Sequence, residues 1–348
     1  MELHGSLSNG GKFHCPNCHR DITAAEYPQR VDEEIRWMNK LGGEDLSAPE
    51  DSVNRGISVK FLVDFCNFFN LWDVSTRDVR SKYIIPMTSQ QRCRFVDLPM
   101  LVEAKKVVGR AETFISHSWS GKFGDMVAGA SDGADENKMV WIDIFAVRQW
   151  PNTKSDLNFQ IVIVQCQSLL IICPSLPEVK QLVVDMSKLS TQVKALIPFL
   201  RVWCLYKIFY AASNKKVIDV KGGFYSFRDS VKRQGHFFTP DISVLKTMAS
   251  IIDIEAASAT NAADRAMIFQ LIESFDGGVS GMNDKVQQEL KLACCRLEGN
   301  YLQLAARTGD MTYIEKWVSQ YEESALGIPV GQRHSFIGAR KLVAAGKY

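Results

Sequence analysis

The first long hydrophobic stretch of the chain has the repeat of an α-helix. Its apolar positions recur at intervals of three and four residues, at Phe61, Leu62, Phe65, Phe68 and Phe69. Ser58 precedes this run, where a residue that caps a helix is preferred. The pattern predicts a core helix over Ser58–Asn70, followed by a shorter element over Thr76–Ile85 that Pro86 ends.

From residue 113 onward, short apolar runs alternate with longer segments of helical spacing. The predicted strands are Thr113–Ser116, Met139–Phe145, Ser168–Cys173 and Lys216–Val220, and the predicted helices are Asp156–Cys166 and Phe199–Ala212. Strands that alternate with helices form parallel, doubly wound sheets. We therefore expect an α/β fold that binds ligands beyond the carboxyl ends of its strands, at Ser116–Gly121, Phe145–Trp150 and Pro174–Ser175.

The pattern after about Thr239 is helical throughout. The predicted helices are Asp241–Ile252, Thr260–Phe275, Asn283–Arg296, Tyr301–Ala306 and Met311–Tyr321, with Gly277 and Gly278 closing the second. These changes of pattern divide the chain into four units. We expect a Cys/His-containing extension over residues 1–30, a mainly helical segment over 31–107, an α/β domain over 108–235 and a helical domain over 236–348.

Composition places the chain among ordinary globular proteins. Hydrophobic residues make up 46% of its 348 residues and charged residues 23%, with a formal net charge of +2. Neither this balance nor any run of like charges indicates a nucleic-acid partner. The longest apolar stretch, Ile161–Cys173, is too short to span a bilayer, and Met1–Lys12 lacks the apolar core of a signal peptide. We expect a cytoplasmic protein whose cysteines in apolar runs are reduced, namely Cys66, Cys166, Cys173 and Cys204.

A compact Cys/His motif lies near the start of the chain. His14, Cys15, Cys18 and His19 belong to the run His-Cys-Pro-Asn-Cys-His, and two cysteines at this spacing present two thiolates to one tetrahedral zinc ion. The flanking His14 and His19 can complete the ligand set. A zinc ribbon would need a second such pair, which the sequence lacks, and ligands from His4, Cys66 or Cys93 would require a long-range fold. The alternative is a surface loop with free thiols. We do not expect a thioredoxin-like redox role, because no strand is predicted before the motif.

Polar and aromatic residues follow the first predicted strand. Ser116, His117, Ser118 and Trp119 should stand at the mouth of the sheet, where His117 and the two hydroxyls would contact a nucleotide or a phosphate. The alternative is a turn held by local hydrogen bonds.

A second group of candidates follows the next strand. Asp143 lies between Ile142 and Ile144, and an ionised carboxylate in such surroundings needs a partner, for which Arg148 or His117 is available. A site residue and a structural ion pair both fit this position. The loop that begins at Arg148 is predicted to contact a ligand or a partner chain.

Three segments together resemble the TIR superfamily. They are Thr113–Trp119, which reads Thr-Phe-Ile-Ser-His-Ser-Trp, Val140–Asp143, which reads Val-Trp-Ile-Asp, and Arg201–Tyr206, which carries the Trp-Cys-Leu signature of plant TIR domains. The resemblance covers about residues 108–222 and implies a flavodoxin-like sheet. More closely, the chain resembles a group of algal and protist proteins without an established activity, which share the Ser-His-x-Trp, Trp-Ile-Asp-Ile-Phe and Trp-Cys-Leu motifs.

The resemblance also bears on catalysis. In NAD-cleaving TIR domains the catalytic glutamate lies four residues after the tryptophan of the Trp-Cys-Leu signature, which here is Trp203. That position is Lys207, and an ammonium group opposes the positive charge that develops when the nicotinamide–ribose bond breaks. Lys207 could instead hold a phosphate or pair with Asp143, and Trp203 itself fits a core position or a ligand contact. The resemblance therefore implies a domain that has lost NAD hydrolase activity.

Three functions remain open from the sequence. The first is a TIR-like protein-interaction or scaffold module that self-associates or binds protein partners. The second is an enzyme or sensor that binds NAD or another nucleotide, with Asp143 or Asp156 as a displaced carboxylate. The third is a structural subunit of a large cytoskeletal or organellar assembly.

Overall fold

A seven-stranded mixed sheet forms the centre of the protein. The computed structural model describes residues 12–14, 21–23, 49–104, 106–150, 154–174, 190–227, 235–238, 242–259, 262–308 and 311–322. The strands are β1 (Lys12–His14), β2 (Asp21–Thr23), β3 (Gly56–Ser58), β4 (Val108–Gly109), β5 (Thr113–His117), β6 (Met139–Trp141), β7 (Ser168–Pro174), β8 (Val217–Phe227) and β9 (Gly235–Phe238). β1 and β2 form a separate antiparallel pair.

The four strands at the middle of the large sheet are parallel. The order along the sheet is β4-β3-β6-β5-β7-β8-β9, and β5 pairs in parallel with both β6 and β7, while β7 pairs in parallel with β8. The predicted α/β class is therefore correct, with the first predicted strand near the centre. The outer strands depart from the purely parallel prediction, because β3, β4 and β9 pair antiparallel with their neighbours.

Helices cover both faces of the sheet. Because successive residues of each strand point to opposite sides, each central strand contributes side chains to two buried clusters. Phe114 and Trp141 belong to one buried cluster, together with residues of the Phe159–Gln165 and Val202–Ser213 helices. Ile115 and Val140 belong to a second cluster with residues of the Val59–Phe68 and Phe123–Ser131 helices. The central strands are thus buried on both sides, which explains their continuous apolar sequence.

The helices largely follow the predicted positions. Their bounds are Val59–Phe68, Thr76–Val79, Ile85–Met87, Pro99–Val102, Phe123–Ser131, Asp143–Ala146, Phe159–Gln165, Thr191–Leu196, Val202–Ser213, Ile242–Ser250, Ala262–Glu273, Gly278–Thr308 and Met311–Glu322, with a π-helical turn over Arg80–Ile84. Ser58 caps the first of them, since its Oγ accepts a hydrogen bond of 3.2 Å from the Phe61 N–H.

Three predicted elements differ from the structure. The run Met139–Phe145 is a strand only as far as Trp141, and Asp143 begins a short helix, because a short apolar run does not reveal its own periodicity. Pro86 lies inside the helical stretch that it was predicted to end, in Ile85–Met87, directly after the π-helical turn Arg80–Ile84. The two helices predicted around Gly299 are one continuous helix, Gly278–Thr308.

The sheet also crosses the predicted unit boundaries. β3 comes from the segment that was predicted as mainly helical, and its Ile57 pairs with Val140 of β6 and with Val108 of β4. β9 begins at residue 235, the last residue of the predicted α/β domain. The segment before residue 108 therefore contributes a strand to the large sheet.

Candidate functional site

Three of the predicted site residues meet beyond the carboxyl ends of the parallel strands. Trp119 follows β5, Asp143 follows β6, and Lys207 projects from the Val202–Ser213 helix. Asp143 joins the other two, because one carboxylate oxygen accepts a hydrogen bond of 3.0 Å from Trp119 Nε1 and the other lies 3.4 Å from Lys207 Nζ. The pair with Lys207 is one that the sequence suggested, whereas Trp119 takes the place of the other suggested partners, Arg148 and His117.

Lys207 occupies an almost fully enclosed position. Its side chain is 4% exposed and that of Asp143 is 13% exposed. Nζ lies 5.1 Å from the centroid of the Phe114 ring and 4.5 Å from that of the Phe159 ring, a distance at which an aromatic face attracts a cation. The ammonium group is therefore held by one carboxylate and two aromatic rings.

His117 and Ser116 are buried without hydrogen-bond partners. His117 is 6% exposed, and neither Nδ1 nor Nε2 has a partner, while Ser116 is fully buried and its Oγ is also unpartnered. Burial lowers the pKa of His117 from 6.5 to about 4; the Asp143 carboxylate opposes this change, and the cations Lys207 and Arg201 add to it. The imidazole is therefore neutral at pH 7, with two ring nitrogens that could each take one hydrogen bond.

The Ser118 hydroxyl is hydrogen-bonded within the protein. It donates to the carbonyl of Ala195, which lies 77 residues further along the chain, and accepts a local hydrogen bond of 3.3 Å from the Ser120 N–H. The turn at Ser118 is therefore held by one long-range and one local contact.

Trp203 packs and hydrogen-bonds within the protein. Its Nε1 donates to Asp264 Oδ2 at 3.0 Å, and its ring lies edge-on to that of Phe159, with centroids 5.3 Å apart. Trp203 and Lys207 therefore both contact Phe159, as expected of residues four positions apart on one helix.

The loop at Arg148 is tied to a buried carboxylate. The Arg148 N–H donates to Asp156 Oδ2 at 2.9 Å. Asp156 also accepts from Arg55 Nη1 at 2.9 Å and from two nitrogens of Arg94, and its side chain is 2% exposed. Asp156 was a candidate for a displaced catalytic acid, but two guanidinium groups already neutralise it.

A segment that the sequence did not assign to the site lies across its entrance. We call Leu71–Arg92 the covering segment. Its Thr76 N–H donates to the Gly121 carbonyl at 3.0 Å, and its Arg77 N–H donates to the Trp119 carbonyl at 2.8 Å. It therefore contacts the loop after β5 through its backbone.

The covering segment also contacts the loop after β6. Arg80 lies 5.6 Å from the centroid of the Trp119 ring, and its Nε donates to Gln149 Oε1 at 2.6 Å. Gln149 in turn donates to the Asp143 carbonyl at 3.2 Å, and Trp150 Nε1 donates to Thr88 Oγ1 at 3.1 Å. Sequence reasoning missed Arg80, which belongs to no recognised motif, whereas Gln149 lies in the loop Phe145–Trp150 that was expected at this edge.

The covering segment also occupies the start of the helix that follows β5. The first N–H groups of a helix favour anions such as phosphate, but the Phe123 N–H here donates to the Val74 carbonyl at 2.7 Å. A Cβ on Gly124 would lie 2.3 Å from the Trp72 carbonyl oxygen. The backbone of residues 72–74 therefore lies where a phosphate would have to approach.

The predicted zinc ligands Cys15, Cys18 and His19 lie outside the described residues, and only the backbone of His14 is described. That backbone ends β1, which pairs with β2, so a strand does precede the Cys-x-x-Cys motif, contrary to expectation. Among the described residues, no group of three or more His, Cys, Asp or Glu side chains could hold a metal ion.

The cysteines in the apolar runs are free and buried, as expected. They are Cys66, Cys166, Cys173 and Cys204. Burial raises the pKa of the Cys166 thiol to about 12, so this thiol carries a proton at neutral pH and is a poor nucleophile.

None of the helices in the described part of the chain is both long enough and apolar enough to cross a membrane. No protein-family model matches the chain, and it has no significant match among curated proteins or among solved structures.

Proposed function

We propose that this chain is a TIR-like protein-interaction or scaffold module that does not hydrolyse NAD. The order of its parallel strands, β6-β5-β7-β8, supports this reading, because a flavodoxin-like sheet also places its first strand between the second and the third. The motif residues Trp119, Asp143 and Lys207 meet at the edge where such a sheet binds ligands.

The ion pair between Lys207 and Asp143 carries the proposal. Breaking the nicotinamide–ribose bond creates an oxocarbenium-like centre, which a nearby carboxylate stabilises. The position that the resemblance assigns to a glutamate is Lys207, which carries an ammonium group. Asp143 is already paired with this group, since its Oδ2 lies 3.4 Å from Lys207 Nζ. The charge at this edge therefore disfavours the transition state of NAD cleavage.

Two further observations support the proposed lack of NAD hydrolysis. Asp156 is buried and bound by Arg55 and Arg94, so it does not supply a replacement carboxylate. The covering segment also lies over the loops after β5 and β6, and the Val74 carbonyl accepts a hydrogen bond from the Phe123 N–H. An edge that is covered in this way offers a protein surface in place of an open nucleotide pocket.

A second candidate function, nucleotide binding without cleavage, is favoured by one observation. Ser116 Oγ and both ring nitrogens of His117 are buried without partners, and buried polar groups that lack partners are rare and often mark a binding site. The contacts of the covering segment argue against this candidate, so we place it second.

An NAD-consumption assay tests the proposal. The natural protein and Lys207→Glu are compared at concentrations high enough to allow self-association, with Lys291→Glu as a control for a charge change at an exposed helical position. We expect no turnover by the natural protein or the control. Turnover that appears only in Lys207→Glu would mean that the pocket persists without its catalytic group, whereas turnover by the natural protein would overturn the proposal.

A further inference from the structure

The hydroxyl of Ser120 lies against a guanidinium group of the covering segment. Its Oγ is 3.4 Å from Arg77 Nη2, and the residue is half-buried in the loop after β5. The backbone fixes this register, because the Arg77 N–H donates to the Trp119 carbonyl at 2.8 Å. In the same way, the Thr76 N–H donates to the Gly121 carbonyl at 3.0 Å. The residues on either side of Ser120 are therefore both hydrogen-bonded to the covering segment.

A second arginine lies at the same corner of the loop. The backbone from Thr76 to Ile84 is helical, first as an α-helix and then as the π-helical turn, and helical residues three positions apart lie on one face. Arg80 is therefore a neighbour of Arg77, and its guanidinium carbon lies 5.6 Å from the centroid of the Trp119 ring. Two guanidinium groups are thus placed at the residues 119 and 120.

No carboxylate in the described part of the chain forms an ion pair with Arg77 or Arg80. The acidic residues of the covering segment are paired with lysines instead; the pairs are Asp73 with Lys122 and Asp78 with Lys82. Guanidinium groups bind phosphate through charge-assisted hydrogen bonds that are often bidentate. The corner at Ser120 therefore has the positive charge and the hydrogen-bond donors that a phosphate group needs.

The Ser120 hydroxyl also differs from other serine hydroxyls at this edge. Ser75, Ser81 and Ser118 each donate to a carboxylate or a backbone carbonyl of the chain. Ser120 instead accepts a hydrogen bond from a guanidinium group and lies partly in solvent. A group attached to its Oγ would therefore meet cations without first breaking a hydrogen bond to the backbone.

We propose that Ser120 is a phosphorylation site and that Arg77 and Arg80 bind its phosphate. A nucleoside triphosphate supplies the phosphoryl group. The bond from Ser120 Oγ to the γ-phosphorus forms, and the bond from that phosphorus to the β,γ-bridging oxygen breaks. The hydroxyl proton passes to the base of the protein kinase that catalyses the step, and a nucleoside diphosphate leaves. The product carries roughly two negative charges at pH 7.

The phosphate strengthens a contact that the backbone already makes. Its oxygens belong to the loop after β5 and accept hydrogen bonds from the covering segment, so phosphorylation fixes this segment more firmly over the edge of the sheet. This effect arises within one chain, and it goes beyond the proposed function. It holds whether the edge contacts a protein or a nucleotide, so the NAD assay does not decide it.

Phosphopeptide mapping of the protein isolated from the cells that make it tests the modification itself. Trypsin cleaves after Arg110 and Lys122, so Ser120 lies in the peptide Ala111–Lys122. We expect a fraction of this peptide to be heavier by about 80 Da, the mass that one phosphoryl group adds. Fragmentation should place the phosphate on Ser120. A peptide that carries no phosphate, or carries it on another hydroxyl, would overturn the proposal.

The contact with the arginines is tested on the full chain with phosphoserine incorporated in place of Ser120 during synthesis. The second pKa of the phosphate is about 6 when it is unperturbed, and nearby cations lower it because they favour the dianion. We expect ³¹P NMR titration to show a pKa lower by at least about half a unit. The decrease should be smaller in Arg77→Ala, which is an exposed position, and absent when Arg80→Gln is added.

Phosphoserine in place of Ser274 is the matched control, because this exposed serine lies between the acidic residues Glu273 and Asp276. Its phosphate should show no decrease in pKa. Thermal unfolding gives a second readout, in which phosphoserine at position 120 should raise the Tm by about 2–4 °C, and Arg77→Ala should remove most of this rise. A phosphate at position 120 that titrates like the control, or that acts equally with and without Arg77, would overturn the binding of phosphate by the covering segment.

Discussion

Lys207 and Asp143 form an ion pair that is almost withdrawn from solvent, with Nζ 3.4 Å from Oδ2. Removing one partner of such a pair leaves a buried charge without compensation. We expect Lys207→Met to lower the free energy of unfolding by about 3 kcal/mol, measured by urea denaturation. Lys122→Met breaks the exposed pair with Asp73 and should cost less than about 1 kcal/mol. Equal losses in both variants would show that burial adds nothing to the Lys207 pair.

The lowered pKa of His117 should contribute to the pH dependence of the free energy of unfolding. Its pKa is about 4 in the folded protein and 6.5 when unperturbed, so the unfolded chain binds the proton more readily between these values. Stability from this residue is complete above pH 6.5 and is lost as pH falls toward 4. The gap corresponds to about 3 kcal/mol. His117→Gln should unfold with a shallower pH dependence in this window, and identical profiles for the two proteins would contradict the assignment.

Substituting alanine for two glycines, Gly124 and Gly299, should change the stability of the protein in opposite directions. Gly124→Ala places a methyl group 2.3 Å from the Trp72 carbonyl oxygen, which forces the covering segment away from the helix. We expect a loss of more than about 1 kcal/mol of stability. Gly299 lies inside a helix with no atom near its missing side chain, so Gly299→Ala should gain roughly 0.5–1 kcal/mol. Thermal and urea unfolding of both variants check this contrast.

The Cys-x-x-Cys motif predicts about one bound zinc per chain. Metal analysis of the purified protein should find it, and Cys15→Ser or Cys18→Ser should lose it. Cys295→Ser, a half-buried cysteine of the Gly278–Thr308 helix, should retain the metal as a control. Protein without metal whose Cys15 and Cys18 are both freely alkylated would reject the site.

Sequence patterns were sufficient for the centre of the sheet. β5 and β7 are apolar along almost their whole length, because both faces of the sheet are covered, and such runs are recognisable without knowledge of the fold. The pairing of Lys207 with Asp143 was one of the alternatives for this lysine, since both positions were expected at the same edge.

The covering segment was not predictable in the same way. The Arg80 side chain contacts Trp119 and Gln149, which lie 39 and 69 positions further along the chain. The other contacts, from the N–H groups of Thr76 and Arg77, depend on backbone groups that almost every residue type carries. The three-residue strand β3 was missed for a related reason. Gly56–Ser58 is too short to show a period, and it is a strand only because Val140 and Val108 lie beside it.

The carboxylate of Asp156 also constrains how the chain matures during synthesis. Arg55 precedes it by 101 residues and Arg94 by 62, so both buried guanidinium groups lack this counter-charge until residue 156 has left the ribosome. Contacts of such long range form slowly, because a large loop must close first. We expect the first hundred residues to remain incompletely folded on the ribosome, and a nascent chain that is stalled before residue 156 should be sensitive to protease.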